Sequence, residues 1–354
     1  MPLVANSTLP TYERLRQEGR TVLDPARASH QDIRELHIGF LNMMPDAALE
    51  ATERQFYRRI GESNQIAQFH MRPFTLPELP RGAKAQEHIA RYYEPFEKLA
   101  EEGLDALIVT GANVQGADLT AEPFWRPLEE ILGWAWDNVT STLCSCLATH
   151  AVVQQRYGQA RRPLPAKRWG VYGHTVTDRS HPLVRATNTL FDVPHSRWNE
   201  ITRAQFEAAG LSVLVESQEA GVHLAVSPDG LRLVCMQGHP EYDIESLLKE
   251  YKREVLRFQA GDCPAYPPFP VNTFGPKAQA VLEEYEDQLR AGLAPDFPEA
   301  VLTPLLENTW RDTARTMIGN WIGTVYQTTN VDRRKQFMEN IDPNDPITWR
   351  KNKR

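Results

Sequence analysis

Short apolar runs, each closed by a turn and followed by a helical pattern, constrain this chain most. Residues 37–45 (HIGFLNMMP) form a run rich in strand formers that stops at Pro45. Residues 104–111 (LDALIVTG) end on Thr110-Gly111, and residues 139–145 (VTSTLCS) pass straight into LATHAVVQQRYG, which has helical spacing and a Gly158 stop. Between them lie an amphipathic pattern over 50–61 and PFWRPLEEILGWAWDN over 123–138. Further strand-like runs follow at 211–217, 223–227 and 231–243. Strands alternating with helices predict an α/β fold, a mostly parallel sheet flanked by helices on both faces. Continuous apolar strands need burial on both sides, and 354 residues suffice for such a core.

The pattern divides the chain. Residues 1–35 are polar and irregular and read as an N-terminal arm, and 36–262 read as the α/β core. Residues 263–330 hold a Pro-rich connector, CPAYPPFPVNTFGP, followed by helical segments KAQAVLEEYEDQLRAG and LLENTWRDTARTMIGNWIGTVYQTT packed on the core. In the last of these Trp310, Ala314, Met317, Trp321 and Val325 share one face, which suits core or homodimer packing. Residues 331–354 read as a charged, frayed tail.

Composition excludes several classes. With 39 Lys+Arg against 46 Asp+Glu the chain carries a formal charge of −7, and no basic stripe suits it to nucleic acid. No apolar window is long enough for a membrane span, and the N-terminus lacks the pattern of a secretory signal. Four cysteines in so long a chain predict a reducing, cytoplasmic setting rather than a disulfide scaffold. Neither a CxxC pair nor HExxH is present, so no metal is expected, and no glycine-rich phosphate loop appears.

Two junctions can carry chemistry. Ser141-Thr142-Leu143-Cys144-Ser145-Cys146-Leu147 places cysteine where a strand turns into a helix. There the free N–H groups and dipole of the helix favour a thiolate and can hold an oxyanion. Spacing alone does not say whether Cys144 or Cys146 sits at the turn. The second junction, Gly238-His239-Pro240-Glu241-Tyr242, follows the run LRLVCM and offers a base with a carboxylate to orient it. Cys, His and Glu on two strand ends make a nucleophile–base–orienter set at the edge where parallel sheets bind ligands.

The segments LNMMP, LIVTGA, STLCSC, KRWGVY, PHSRW, GHPEYD and NTWRDTARTMIGNWIGTVYQTT occur in an order and spacing that resembles the MetA-type homoserine O-acyltransferase family, over roughly residues 36–328. The resemblance implies a flavodoxin-like, class I glutamine amidotransferase-like fold with a helical C-terminal extension. It implies transfer of an acyl group from succinyl-CoA or acetyl-CoA to L-homoserine in methionine biosynthesis, with acyl-CoA as co-substrate and no resident cofactor. It assigns Cys146 as nucleophile, His239 as base and Glu241 as its partner. Lys167, Ser196 and Arg253 would hold the amino acid. The Leu147 N–H and an amide after Gly111 would face the oxyanion. In that family the position of Gln115 sorts acyl groups, glycine going with succinyl and glutamate with acetyl. A glutamine amide can donate to a succinyl carboxylate, which favours succinyl-CoA. Two departures stand out: Asp46-Ala47 replaces an expected lysine after LNMMP, and Cys144 adds a second thiol beside the nucleophile. A glutamine amidotransferase-like Cys-His-Glu enzyme is the alternative, against which the PHSRW, Lys167 and Arg253 set stands.

Overall fold

The computed structural model describes residues 3–29, 34–63, 67–114, 116 and 118–349. Eleven strands among them form one sheet. They are β1 (Leu3–Val4), β2 (Val22–Leu23), β3 (Glu35–Leu41), β4 (Gln68–Phe74), β5 (Ala106–Val109), β6 (Ser141–Ser145), β7 (Arg162–Val176), β8 (Leu190–Glu200), β9 (Ser212–Ser217), β10 (Gly221–Val226) and β11 (Leu233–Met236). Their order is β2-β1-β4-β3-β5-β6-β11-β10-β9-β7-β8. From β2 to β11 every pair is parallel, and from β11 to β8 every pair is antiparallel.

The parallel strands read as unbroken apolar runs because both faces are covered. In β5, Ile108 joins Phe40 and Leu143 in one core cluster, while its neighbours Leu107 and Val109 join Cys144 and Cys235 in another. Helices Asp46–Ser63 and Arg311–Thr328 cover the first face. Helices Trp125–Asn138 and Leu147–Tyr157 cover the second. A smaller cluster joins Trp169 and Val171 of β7 to helices Ser246–Gln259 and Pro276–Arg290 and to Trp310. The Pro-rich connector docks on β7, where Val271 exchanges backbone bonds with Trp169 and Val171 at 2.9 and 2.8 Å.

Four expectations change. The stretch 1–35 supplies β1, β2 and the helix Pro10–Gln17, with Leu3, Leu9, Tyr12 and Leu15 buried. Its polar residues are the outer face of an amphipathic layer, not an arm. The tail is anchored through residue 349, because Phe337 and Trp349 are buried and Thr329 bridges to Phe337. Strand β4 and the long β7–β8 hairpin were not foreseen, since Pro73, Pro163, Pro165 and polar alternation mask them. Finally, the apolar face of helix 311–328 is covered by its own chain. Trp321 is fully buried and its indole N–H donates to Ser141 Oγ at 2.8 Å, so that face offers nothing to a homodimer.

Candidate active site

The carboxyl ends of β6 and β11 lie side by side, with Cys144 paired to Cys235 and Ser145 to Met236. One residue past β6 the backbone turns sharply at Cys146, with φ 52° and ψ −113°, a left-handed conformation that a side chain disfavours. The surroundings hold it there. Cys146 N–H donates to Met236 carbonyl at 2.7 Å, and Cys146 carbonyl accepts from Thr149 N–H at 3.0 Å as the helix Leu147–Tyr157 begins. The elbow therefore belongs to Cys146. Cys144 is a fully buried strand residue, and burial pushes its thiol well above the ordinary value, which suits a packed spectator.

Three residues past Met236, β11 delivers His239. Its Nδ1 lies 2.8 Å from Glu241 Oε1, which leaves Nε2 as the uncommitted ring nitrogen, and Cys146 is among the groups whose charge acts on the imidazole. Burial alone would lower the pKa of His239, but the charges on Glu241 and Cys146 outweigh it and hold the imidazole well above its usual value. Tyr242 stacks on that ring at 4.4 Å and 20°. Two cations add to the positive field at the sulfur. Burial depresses the pKa of Arg161 and of Arg197, and the charge on Cys146 is among the influences that raise each.

The oxyanion side is also built. A Cβ placed on Gly111 would lie 3.5 Å from Cys146 Cβ and 3.8 Å from the Leu147 nitrogen, so the turn after β5 passes directly beside the elbow. The Leu147 N–H, in the first helical turn, has no helical acceptor and is available there.

The turn that carries His239 rests on β8. His239 N–H donates to Pro194 carbonyl at 2.8 Å, and Gly238 N–H donates to His223 Nδ1 at 3.3 Å. A Cβ on Gly238 would fall 2.6 Å from Val193 Cγ1 and 2.8 Å from His195 Nε2, so only glycine fits. His174, His195 and His223 form a buried cluster behind it, joined by a 3.1 Å contact between the Nε2 atoms of His195 and His174. Burial lowers the pKa of all three.

Of the expected amino-acid-binding residues, Lys167 and Ser196 converge on a carboxylate that the sequence did not single out. Glu250 Oε2 accepts from Ser196 Oγ at 2.6 Å and pairs with Lys167 Nζ at 3.1 Å, and Oε1 accepts from Tyr242 hydroxyl at 2.8 Å. Burial would raise the Glu250 pKa, but Lys167 and these hydrogen bonds hold it below the usual carboxylate value. Lys167 also sits over the Trp169 ring at 4.2 Å. Tyr242 thus links the Glu250 cluster to His239. In the sequence, Glu250 is one charge among many in EYKREV, and no spacing marks it. Arg253 is one turn further along the same helix, and its side chain, 59% exposed, pairs with Glu254 at 3.2 Å rather than joining the cluster. Gln115 lies outside the described residues.

Asp46, found in place of the expected lysine, accepts from Gly82 N–H at 2.7 Å and faces Arg81 at 3.4 Å. The Arg81 guanidinium bonds the carbonyls of Asn42 and Met44, and Met44 Sδ lies 3.8 Å from a Cβ placed on Gly111. A cation does reach the LNMMP turn, but from a different segment.

Among the described residues no helix is long and apolar enough to cross a membrane. A glutamine amidotransferase from Methylobacillus flagellatus aligns over 82% of this chain and 95% of its own at 13% identity, with a TM-score of 0.47. A glutamine amidotransferase from Thermotoga maritima aligns over 83% and 100% at 13% identity, with a TM-score of 0.45. Much nearer are curated proteins named homoserine O-succinyltransferase. That of Allochromatium vinosum is 63% identical, covering 98% of this chain and 99% of its own. That of Thiobacillus denitrificans is 64% identical over the same shares. The family model for homoserine O-succinyltransferase matches residues 2–331. With its elbow cysteine and HPE turn set within that match, the chain belongs to the homoserine O-succinyltransferase family.

Proposed function

We propose that this chain transfers a succinyl group from succinyl-CoA to the side-chain hydroxyl of L-homoserine, through a thioester on Cys146. The observation that carries the reading is the Cys146–His239–Glu241 arrangement at an elbow flanked by Leu147 and Gly111. In the first half-reaction the Cys146 sulfur, as thiolate beside a protonated His239, attacks the thioester carbonyl. The Leu147 N–H and the amide after Gly111 stabilise the tetrahedral oxyanion. The C–S bond to CoA breaks, and CoA leaves with the proton from His239. One thioester replaces another, so this step is close to energy-neutral. In the second half, neutral His239 takes the proton of the homoserine hydroxyl as its oxygen attacks the acyl carbon. Cys146 then leaves as thiolate beside protonated His239, ready for the next cycle. Glu241 keeps Nδ1 protonated throughout and so directs Nε2 at the reacting atoms.

The amino acid belongs at the Lys167–Ser196–Glu250 cluster, where a buried carboxylate suits its ammonium and Lys167 its α-carboxylate. Arg253, at the surface one turn away, adds a guanidinium that can pair bidentately with the same carboxylate. Gln115 would contact the distal end of the acyl group. The same reading includes no resident cofactor and a cytoplasmic location, which four free cysteines fit. Steady-state rates with homoserine and either acyl donor test it. The kcat/KM for succinyl-CoA is expected to exceed that for acetyl-CoA by about tenfold or more, a difference of about 1.4 kcal/mol. A preference for acetyl-CoA, or no transfer to homoserine, would overturn it.

A further inference from the structure

The helix that starts at Cys146 ends at Tyr157, roughly 16 Å away, at the amino-terminal edge of the sheet. A cleft of about 630 Å³ opens there, lined by Trp136, Arg156, Tyr157, Arg232 and Asn344 among others. Two guanidinium groups face it across one indole. Arg156 lies over the Trp136 ring at 3.4 Å, and Arg232 lies 5.3 Å from the same ring and 5.5 Å from that of Phe337.

Neither arginine forms an ion pair with a carboxylate among the described residues. Elsewhere the fold meets its buried arginines with acids, as at Arg72 with Glu94 and Glu102, Arg58 with Glu18 and Asp243, and Arg59 with Glu62. In the cleft, Asp229 Oδ1 is spent on the backbone N–H groups of Leu231 and Arg232 and on Ser227 Oγ. Asp137 acts on Arg156 only at a distance, and the buried Tyr157 hydroxyl beside it has no hydrogen-bond partner among the described residues. The Arg232 Nε is buried without an acceptor. Stacking on Trp136 satisfies the faces of the guanidinium groups and leaves their N–H edges unmatched. Paired, planar donor edges fit the oxygens of a phosphate.

We propose that this cleft is a second binding site, separate from the acyl-transfer site, for a small phosphate-bearing oligoanion. Arg156 and Arg232 clamp its phosphates, and Gln155 and Asn344 line the remaining polar wall. The ligand chemistry is shared by free polyphosphates and nucleotides, and the test separates them.

Isothermal titration of the full chain with pyrophosphate and, separately, with ATP reads the site directly. One site per chain is expected for at least one probe, with affinity falling as salt rises. ATP binding tighter than pyrophosphate assigns the site to nucleotides, and the reverse assigns it to free polyphosphate. A saturating phosphate-free succinyl thioester, such as that of N-acetylcysteamine, should leave the binding unchanged, because the two sites are at opposite edges. The Arg156→Gln/Arg232→Gln variant should lose about tenfold or more in affinity while its acyl-transfer rate stays within about twofold. Should that variant unfold, the single Arg156→Lys and Arg232→Lys variants, which keep charge and lose the fork, should each weaken binding. No binding of either probe, displacement by the phosphate-free thioester, or full affinity in the arginine variants overturns the proposal.

Discussion

The chemistry at Cys146 depends on which groups share the charge around one imidazole. Because His239 is held above its ordinary value by Glu241 and Cys146, its ionised form stabilises the folded state. That contribution is fully present below the unfolded value of about 6.5 and fades as pH rises through the folded one. The stability gap between the native chain and His239→Gln is therefore expected to be wider at pH 6 than at pH 9 in urea titrations. A gap that widens with pH would show that the imidazole is folded in neutral. At the other end of the site, Glu250→Gln leaves Lys167 without its anion and removes the partner assigned to the homoserine ammonium. Its KM for homoserine should rise roughly 10- to 100-fold. Formation of the acyl-enzyme in the absence of homoserine should be nearly unchanged. An unaltered KM would move the amino acid elsewhere.

At the scale of elements, the site is the meeting of two strand ends, β6 and β11, braced by β8. The elbow was legible in the sequence because an apolar run passing into helical spacing leaves little choice about where the chain turns. HPE was legible for the same reason, as the end of LRLVCM. The brace was not legible. PHSRW carries Pro194, His195 and Arg197 into the interior, yet the run is polar, and what buries it is pairing with β7 and packing behind Gly238. Glu250 was hidden similarly, because an amphipathic helix shows which face is polar but not which acid is turned inward. The brace makes a sharp prediction. Gly238→Ala puts a methyl into Val193 and His195, and overpacking of this kind costs about 1–3 kcal/mol. The displaced turn should also lower kcat about 10- to 100-fold with a smaller change in KM. A thermal melt and steady-state kinetics together check it, and wild-type kcat in a folded Gly238→Ala chain would show that β8 does not position His239.

Over the whole molecule, the parallel half of the sheet followed from the order of apolar runs, whereas the ends of the chain did not. Residues 3–23 look polar because the inward-facing Leu3, Val4, Leu9, Tyr12, Leu15 and Leu23 are scattered among polar residues, and 331–349 look frayed because two aromatic anchors are diluted by charge. Those anchors are energetically significant. Phe337→Ala should cost about 2–3 kcal/mol of stability in denaturant titration, whereas an unpacked tail would give a change within about 0.5 kcal/mol. The helix Arg311–Thr328 likewise ties the C-terminal segment to the site, since the Trp310 indole N–H just before it donates to Tyr242 carbonyl at 3.0 Å. All of this scaffolding serves one sulfur, and the intact mass of the whole chain reads its state. After mixing with succinyl-CoA and no homoserine, the protein should gain a single succinyl group, located by peptide mapping on Cys146, absent in Cys146→Ser, and discharged when homoserine is added. A chain that stays unmodified while turning over substrate, or one whose acyl group sits on Cys144, would contradict the thioester account.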